Sequence, residues 1–309
     1  MNRQAIAMGV IRTARRLAAN TPLQRLPFTG FLYRKVFRYG YTGDVVTADF
    51  RGLRLTAPTK DATIVPGLVG GFYEVIELDL FERLAASSRT IVDVGGNIGL
   101  YACLASRTAP DGARVVSFEP IPENLEYLRR NLAQNGAEGV TLEECAVGER
   151  EGSITIYTSR QSIGTHSASA QNAGNAEGRE VPMTSVDAYT AANGVGPVDL
   201  LKVDVEGYDG FVLRGAERVL SEDGPALFVE LVPSHLKNCG FEPRDFVELL
   251  FGHYDDVWMV NEPRHTITPC TRQDLLALGD RQVNANLVLV RRPEHRDAVA
   301  AYVRELAAA

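Results

Sequence analysis

The stretch Thr90-Ile-Val-Asp-Val-Gly-Gly-Asn-Ile-Gly-Leu100, continuing to Val115-Val-Ser-Phe-Glu-Pro120, decides how the rest of the chain is read. Ile91 to Val94 reads as a short buried strand, and Gly95-Gly-Asn-Ile-Gly99 is a tight turn. Leu100, Cys103 and Leu104 then begin a helical period. A second β-rich run, Ala113 to Phe118, ends on Glu119, twenty residues past the last glycine of the turn. This is a βαβ unit with a glycine-rich first turn, the architecture of a nucleoside-binding crevice. Glycines let the backbone approach the ligand, and a carboxylate at the tip of the second strand accepts the ribose hydroxyls.

The dinucleotide pattern G-x-G-x-x-G fails here, because Asn97 and Leu100 stand where its second and third glycines belong. Asp93 ahead of the turn would also repel a pyrophosphate that such a turn normally seats on helix amides. A ligand with an amino group and a sulfonium suits that acid better.

The 309 residues are 45% hydrophobic and 23% charged, enough for a substantial soluble core. Cys103, Cys145, Cys239 and Cys270 are widely spaced and form no C-x-x-C, so free thiols and a cytoplasmic setting are expected. No run reaches the ~20 apolar residues of a membrane span. The net charge of −7 conceals an asymmetry: residues 1–40 carry eight basic side chains and no acid, leaving −15 on the other 269. An acidic body argues against a nucleic-acid-binding face. The basic arm, with Ala5, Met8, Ile11 and Leu17 at loosely helical spacing, is expected to pack on the body. Its alternative is peripheral contact with an anionic membrane or a partner. Oligomeric state has no signature.

Residues 45–57 read as a β-hairpin turning near Arg51-Gly52, and residues 73–86 as a helix ahead of the first core strand. Pro122 to Asn135 reads as a helix stopped by Gly136. Strands are expected at 140–147, 153–158, 197–205, 225–232, 257–261 and 283–290, with helices at 208–220, 241–251 and 295–306. The Ser-, Gly- and Asn-rich stretch 159–178 reads as a mobile loop where ligands enter. This rhythm predicts a doubly wound, mostly parallel, seven-stranded α/β sheet of Rossmann-like type. The expected division is a basic arm, hairpin and helix at 1–84, the main domain at 85–293 and a closing helix at 294–309.

The second constellation is Val198-Asp-Leu-Leu-Lys-Val-Asp-Val-Glu-Gly207. Lys202, Asp204 and Glu206 alternate at the end of a strand that should be wholly apolar, so they project to one face and are costly unless used. The next strand ends on Glu230, with His235 five residues on.

With Asp93-x-Gly95-x-Asn97-x-Gly99, Phe118-Glu-Pro120, Leu201-Lys-Val-Asp-Val-Glu-Gly207, Leu213-Arg-Gly-Ala216 and Phe228-Val-Glu230 in order, the chain resembles the FkbM-type methyltransferases over about residues 88–262. That resemblance implies a class I fold and S-adenosylmethionine as cofactor. It also implies methyl transfer to a hydroxyl of a sugar, glycan, glycolipid or secondary metabolite. Asp93, Gly95, Gly96, Asn97 and Gly99 would hold the methionine part, Glu119 and Pro120 the ribose end, and Cys145, Ala146 and Val147 the adenine. Tyr208-Asp-Gly210 departs from the family's usual helix opening, which leaves acceptor contacts there undefined.

An alkyl hydroxyl is a weak nucleophile, so a base or a metal is expected beside it. Asp204 is the first candidate base, followed by Glu206, Glu230, His235 and His166; Lys202 is a candidate partner for a nearby carboxylate. Asp204, Glu206 and Glu230 also supply the hard oxygen donors that magnesium takes. Three other classes stand against this reading. A nicotinamide oxidoreductase fails at Asn97 and Leu100, and a nucleic-acid methyltransferase lacks its Asn/Asp-Pro-Pro-aromatic run. A non-catalytic cofactor-binding scaffold would need the fourth-strand acids to be merely structural.

Overall fold

The computed structural model describes residues 43–61, 64–158, 164–174 and 176–308. The basic arm at 1–40 and part of the expected ligand-entry loop, residues 159–163 and 175, lie outside them. Two compact units emerge, one within Met1–Tyr73 and Gln161–Gly164, the other comprising Glu74–Arg160 and Thr165–Ala309.

The smaller unit contains β1 (Val45–Phe50), β2 (Leu53–Pro58) and α1 (Ile64–Gly70). β1 and β2 form the expected hairpin, closing from Phe50 to Leu53. Arg51 and Gly52 take φ of 51° and 75°, the left-handed pair that a two-residue turn needs to match strand twist.

The larger unit begins with α2 (Val75–Ala85), β3 (Thr90–Val94), α3 (Leu100–Thr108), β4 (Arg114–Phe118), α4 (Pro122–Gln134) and β5 (Thr141–Glu143). Next come β6 (Ala146–Val147), β7 (Gly152–Tyr157), β8 (Gly178–Thr184), α5 (Val186–Ala192), β9 (Leu200–Val203) and α6 (Asp209–Arg214). It closes with β10 (Ala226–Leu231), α7 (Pro233–Asn238), α8 (Pro243–His253), β11 (Asp256–Asn261), β12 (Thr266–Pro269), α9 (Arg272–Asp280), β13 (Ala285–Val290) and α10 (Pro293–Ala308).

The main sheet runs β12-β11-β13-β10-β9-β3-β4-β5. Strands β5, β4, β3, β9 and β10 are mutually parallel, and β13 is antiparallel to both β10 and β11. The seven expected strands are joined by an eighth at the edge, β12, which pairs antiparallel with β11. Residues 140–147 do not form one strand. β5 stays in the main sheet, while β6 joins β7 and β8 in a separate three-stranded sheet. The break falls at Glu144, which turns outward to pair with Arg129. The helix expected over 208–220 is interrupted at Gly215 and Ala216 and resumes into a π-helical turn at Val219–Asp223. At the interruption Gly215 packs so closely on the Gly148 backbone that a Cβ would lie 2.0 Å from its carbonyl oxygen. Among the described residues no helix is long and apolar enough to cross a membrane.

The parallel strands are buried on both faces, which is why they read as continuous apolar runs. Val92, Val94, Val116, Leu201, Val203 and Leu227 are all within 1% of complete burial. At β3 the chain order reverses, β4 lying on one side and β9 on the other. The crevice above the carboxyl ends of β3 and β9 is therefore where a ligand belongs in this architecture.

Candidate active site

The turn after β3 is shaped by close backbone approach. Gly95 and Gly96 both donate their N–H to Phe118 O, at 3.0 and 2.8 Å. Gly95 has φ of 93°, and a Cβ there would sit 2.0 Å from the Asp204 carbonyl oxygen; at Gly96 it would sit 2.3 Å from Ser117 Oγ. Gly99, at φ 85°, opens α3.

Glu119 is 4% exposed, and both of its carboxylate oxygens are aimed by backbone amides. The Asn97 N–H donates to Oε2 and the Ile121 N–H to Oε1, each at 2.8 Å. Burial raises its pKa to about 7, against the pull of those amides and of Asn124. A carboxylate has about four acceptor positions, so with the two amides and Asn124 engaged one remains for a hydroxyl of a ligand. Pro120 carries the chain from Glu119 to Ile121, the residue preceding α4. Asp93 is 1% exposed; Ser117 Oγ donates to its Oδ2 at 2.9 Å, while Oδ1 has no protein partner. Cys145 packs against the main core and burial raises its thiol to about 11. Ala146 and Val147 are buried in β6.

Lys202 lies beside Asp93 across the β3–β9 ladder and is 4% exposed. Its Nζ is 3.2 Å from Asp204 Oδ2 and 4.5 Å from the centre of the Tyr101 ring. Burial alone would lower its pKa. The fields of Asp204, Asp93, Glu74 and Glu77 outweigh that and raise its pKa, fixing it as an ammonium.

Three of these groups were not singled out from sequence. Tyr101 Oη lies 2.7 Å from Glu74 Oε2 and 3.0 Å from Glu77 Oε1, and Asn286 Nδ2 donates to Glu77 Oε2 at 2.7 Å. Burial raises both carboxyls, Glu74 to about 8. The signal was present. Glu77 precedes Leu80, Phe81 and Leu84 by three, four and seven positions, so it shares the buried stripe of α2, where a lone carboxylate needs partners.

Past β9, Glu206 takes φ of 53° and its Oε2 lies 3.1 Å from His235 Nδ1 at the start of α7. That nitrogen is fully buried and has no well-formed hydrogen bond, and Glu206 Oε2 is the carboxylate oxygen it faces. Burial raises the Glu206 pKa and His235 opposes the rise. Asp209 accepts the Gly207 N–H at 2.9 Å and is raised by burial to about 7. Burial, then Asp204, Asp209, Glu77 and Glu206, raise Glu230 to about 9, so this carboxyl is protonated at neutral pH.

The expected ligand-entry loop is tied down over its described part. Ser167 Oγ donates to Glu206 O at 2.7 Å, and Asn172 Nδ2 lies 3.1 Å from both Glu206 O and His235 O. His166 is half-buried in the same segment. Among the described residues no three His, Cys, Asp or Glu side chains are arranged to hold a metal ion. Asp204 faces Lys202 and Glu206 faces His235, so no step is routed through magnesium.

A doubly wound sheet with its last strand reversed, a glycine turn at the switch point and an amide-oriented acid at the second strand tip define a class I methyltransferase fold. Residues 93–257, just over half of the chain, match the methyltransferase FkbM domain, and the chain belongs to the FkbM methyltransferase family. Similar proteins include Methyltransferase 1 of Beauveria bassiana, 29% identical over 145 residues, 41% of this chain and 58% of that protein. The hexuronic acid methyltransferase AglP of Haloferax volcanii is 29% identical over 213 residues, 69% of this chain and 78% of that protein. The 31-O-demethyl-FK506 methyltransferase FkbM of Streptomyces tacrolimicus is 28% identical over 155 residues, 41% and 59%. The chain thus spans less than two thirds of the length of the first and third of these relatives.

Proposed function

We propose that this protein transfers a methyl group from S-adenosylmethionine to a hydroxyl of a sugar, glycan or related metabolite. The observation that carries the reading is the Glu119 carboxylate at the tip of β4, oriented by the Asn97 and Ile121 amides with an acceptor position to spare. The unpartnered Asp93 Oδ1 and the turn with no room for a Cβ at Gly95 also fit a cofactor of this kind. The bound cofactor would supply an electrophilic methyl on a sulfonium that departs as a neutral thioether.

The chain's own residues have separate tasks in this scheme. Glu119 grips the ribose diol, and Asp93 and the Gly95–Gly99 turn receive the methionine end. Lys202 keeps Asp204 in place and offsets the charge of the surrounding acids. His235 takes the acceptor's hydroxyl proton, and Glu206 stabilises the resulting imidazolium. With Nδ1 turned to Glu206, Nε2 is the nitrogen left for the acceptor. This pair suits the task better than Asp204, engaged by Lys202, or Glu230, already protonated at neutral pH. Holding oxygen, carbon and sulfur in line supplies much of the remaining rate. The names of two relatives, a hexuronic acid methyltransferase and a 31-O-demethyl-FK506 methyltransferase, support a sugar-like or secondary-metabolite acceptor.

The test is transfer of a labelled methyl from S-adenosylmethionine to a panel of neutral monosaccharides, hexuronic acids and polyol macrolides. Label in a methyl ether formed at an acceptor hydroxyl, lost in His235→Gln, is the expected result. Tight cofactor binding with no transfer to any member would favour a binding protein.

A further inference from the structure

We propose that Asn172 is a positioning residue that clamps the Glu206–His235 pair, an inference that rests on the methyl-transfer reading above. Glu206 and His235 come from different elements, the turn after β9 and the first turn of α7, so nothing in either element fixes their separation. Glu206 also has φ of 53°, a conformation a non-glycine residue holds only when its surroundings impose it. The two turns touch through backbone: a Cβ on Gly207 would lie 2.5 Å from His235 O.

The Asn172 amide sits astride that junction. Its Nδ2 lies 3.1 Å from Glu206 O and 3.1 Å from His235 O, the carbonyls of the two residues that must meet, with Cys239 Sγ farther off at 3.6 Å. Its Oδ1 accepts from Asn238 Nδ2 at 2.8 Å, which fixes which end of the amide faces which way. Ser167 Oγ adds a second bond to Glu206 O at 2.7 Å and lies 3.2 Å from Asn172 Nδ2. The side chain touches neither the Glu206 carboxylate nor the His235 ring in this network. It acts on both through their main chains, holding Oε2 and Nδ1 at 3.1 Å. The loop thereby joins the acid and the imidazole, and a shift at Asn172 opens the pair without touching the Glu119 end of the crevice.

Long-range proton–nitrogen spectra of the histidine side chains test this without any acceptor. At a pH where the imidazoles are neutral, His235, assigned through His235→Gln, is expected as the Nδ1–H tautomer facing Glu206. Glu206→Ala and Asn172→Ala should both shift His235 toward the Nε2–H tautomer. Cofactor affinity by calorimetry should stay within about twofold of the parent in Asn172→Ala, as expected for a distant site. If the alanine variant is too unstable to study, Asn172→Ser, too short to bridge both carbonyls, should give the same shift. An unaltered His235 tautomer in an Asn172 variant that is merely less heat-stable would overturn the proposal. So would a shift accompanied by tenfold weaker cofactor binding, which would mark a general disturbance of the crevice. Failure of the parent protein to bind S-adenosylmethionine would instead strike the function proposed above, leaving the tautomer comparison to be read separately.

Discussion

The backbone N–H of Asn97 donates to Glu119 Oε2 at 2.8 Å, tying the glycine turn after β3 to the tip of β4. Asn97 makes this bond from φ of 49°, a left-handed conformation that asparagine tolerates and β-branched residues resist. Asn97→Gly should therefore keep the amide in place and bind S-adenosylmethionine nearly as the parent does. Asn97→Val should lose about 1–2 kcal/mol of stability and, by moving the amide, weaken cofactor binding. Thermal melts and calorimetry on the two variants make the comparison, and equal behaviour would contradict it.

Gly95→Ala should be among the most damaging single-methyl additions. It combines a φ of 93° with a Cβ 2.0 Å from the Asp204 carbonyl oxygen, an atom of the adjacent strand's backbone. Strain and overpacking together should cost about 2–5 kcal/mol, measured as a loss in denaturant midpoint. Alanine at Gly112, which also has positive φ but open space around it, is the control and should cost much less.

Lys202→Met removes the ammonium placed among Asp93, Asp204, Glu74 and Glu77. Asp204 is 42% exposed and screened by solvent, so the loss falls on the buried acids left without the ammonium, about 1–3 kcal/mol. Because protonating the stranded acids relieves the repulsion, the variant should recover part of its stability in mildly acidic buffer. A loss independent of pH would mean that Lys202 contributes packing alone.

Glu230 gives a pH signature with a definite sign. Its folded-state pKa, about 9, lies above its ordinary value of 4.5, so the folded protein holds the extra proton between the two. Stability from this source is complete below about 4.5 and is lost as pH rises through about 9. Glu230→Gln, neutral throughout, should melt close to the parent near the lower end and several degrees above it at the upper end. Glu74, raised to about 8, and Asp209 and Glu119, raised to about 7, make the parent's stability fall in the same direction. Parallel melting curves across that range would contradict the assignment.

The parallel strands were legible because burial on both faces writes an apolar run, unbroken in Ala226 to Val229 and interrupted only by Asp93 in Ile91 to Val94 and by Lys202 in Leu200 to Val203. The hairpin at Arg51-Gly52 and the end of α4 at Gly136 were legible because positive φ demands particular residues. What stayed hidden depended on distant partners. Residues 140–147 divide between two sheets because β6 pairs with β8, more than thirty residues away. β12 was hidden for a related reason, since four residues with one buried side chain carry little pattern. In the site, Asp93, Glu119, Lys202, Asp204, Glu206 and Glu230 could be named from strand ends alone. Tyr101, Glu74 and Glu77 could not be joined to them without knowing that α2 and α3 converge on Lys202. The tie from Asn172 to Glu206 and His235 was equally unreadable, because it runs through main-chain carbonyls that carry no residue identity.

The sharpest test is calorimetric titration of S-adenosylmethionine into the parent protein and into Glu119→Ala. Loss of charge-assisted hydrogen bonds to the ribose predicts binding in the parent and affinity weaker by about 10- to 100-fold in the variant, with the variant still folded. Equal affinity in the two proteins would contradict the placement of the nucleoside at the head of β4, and with it the account of the site.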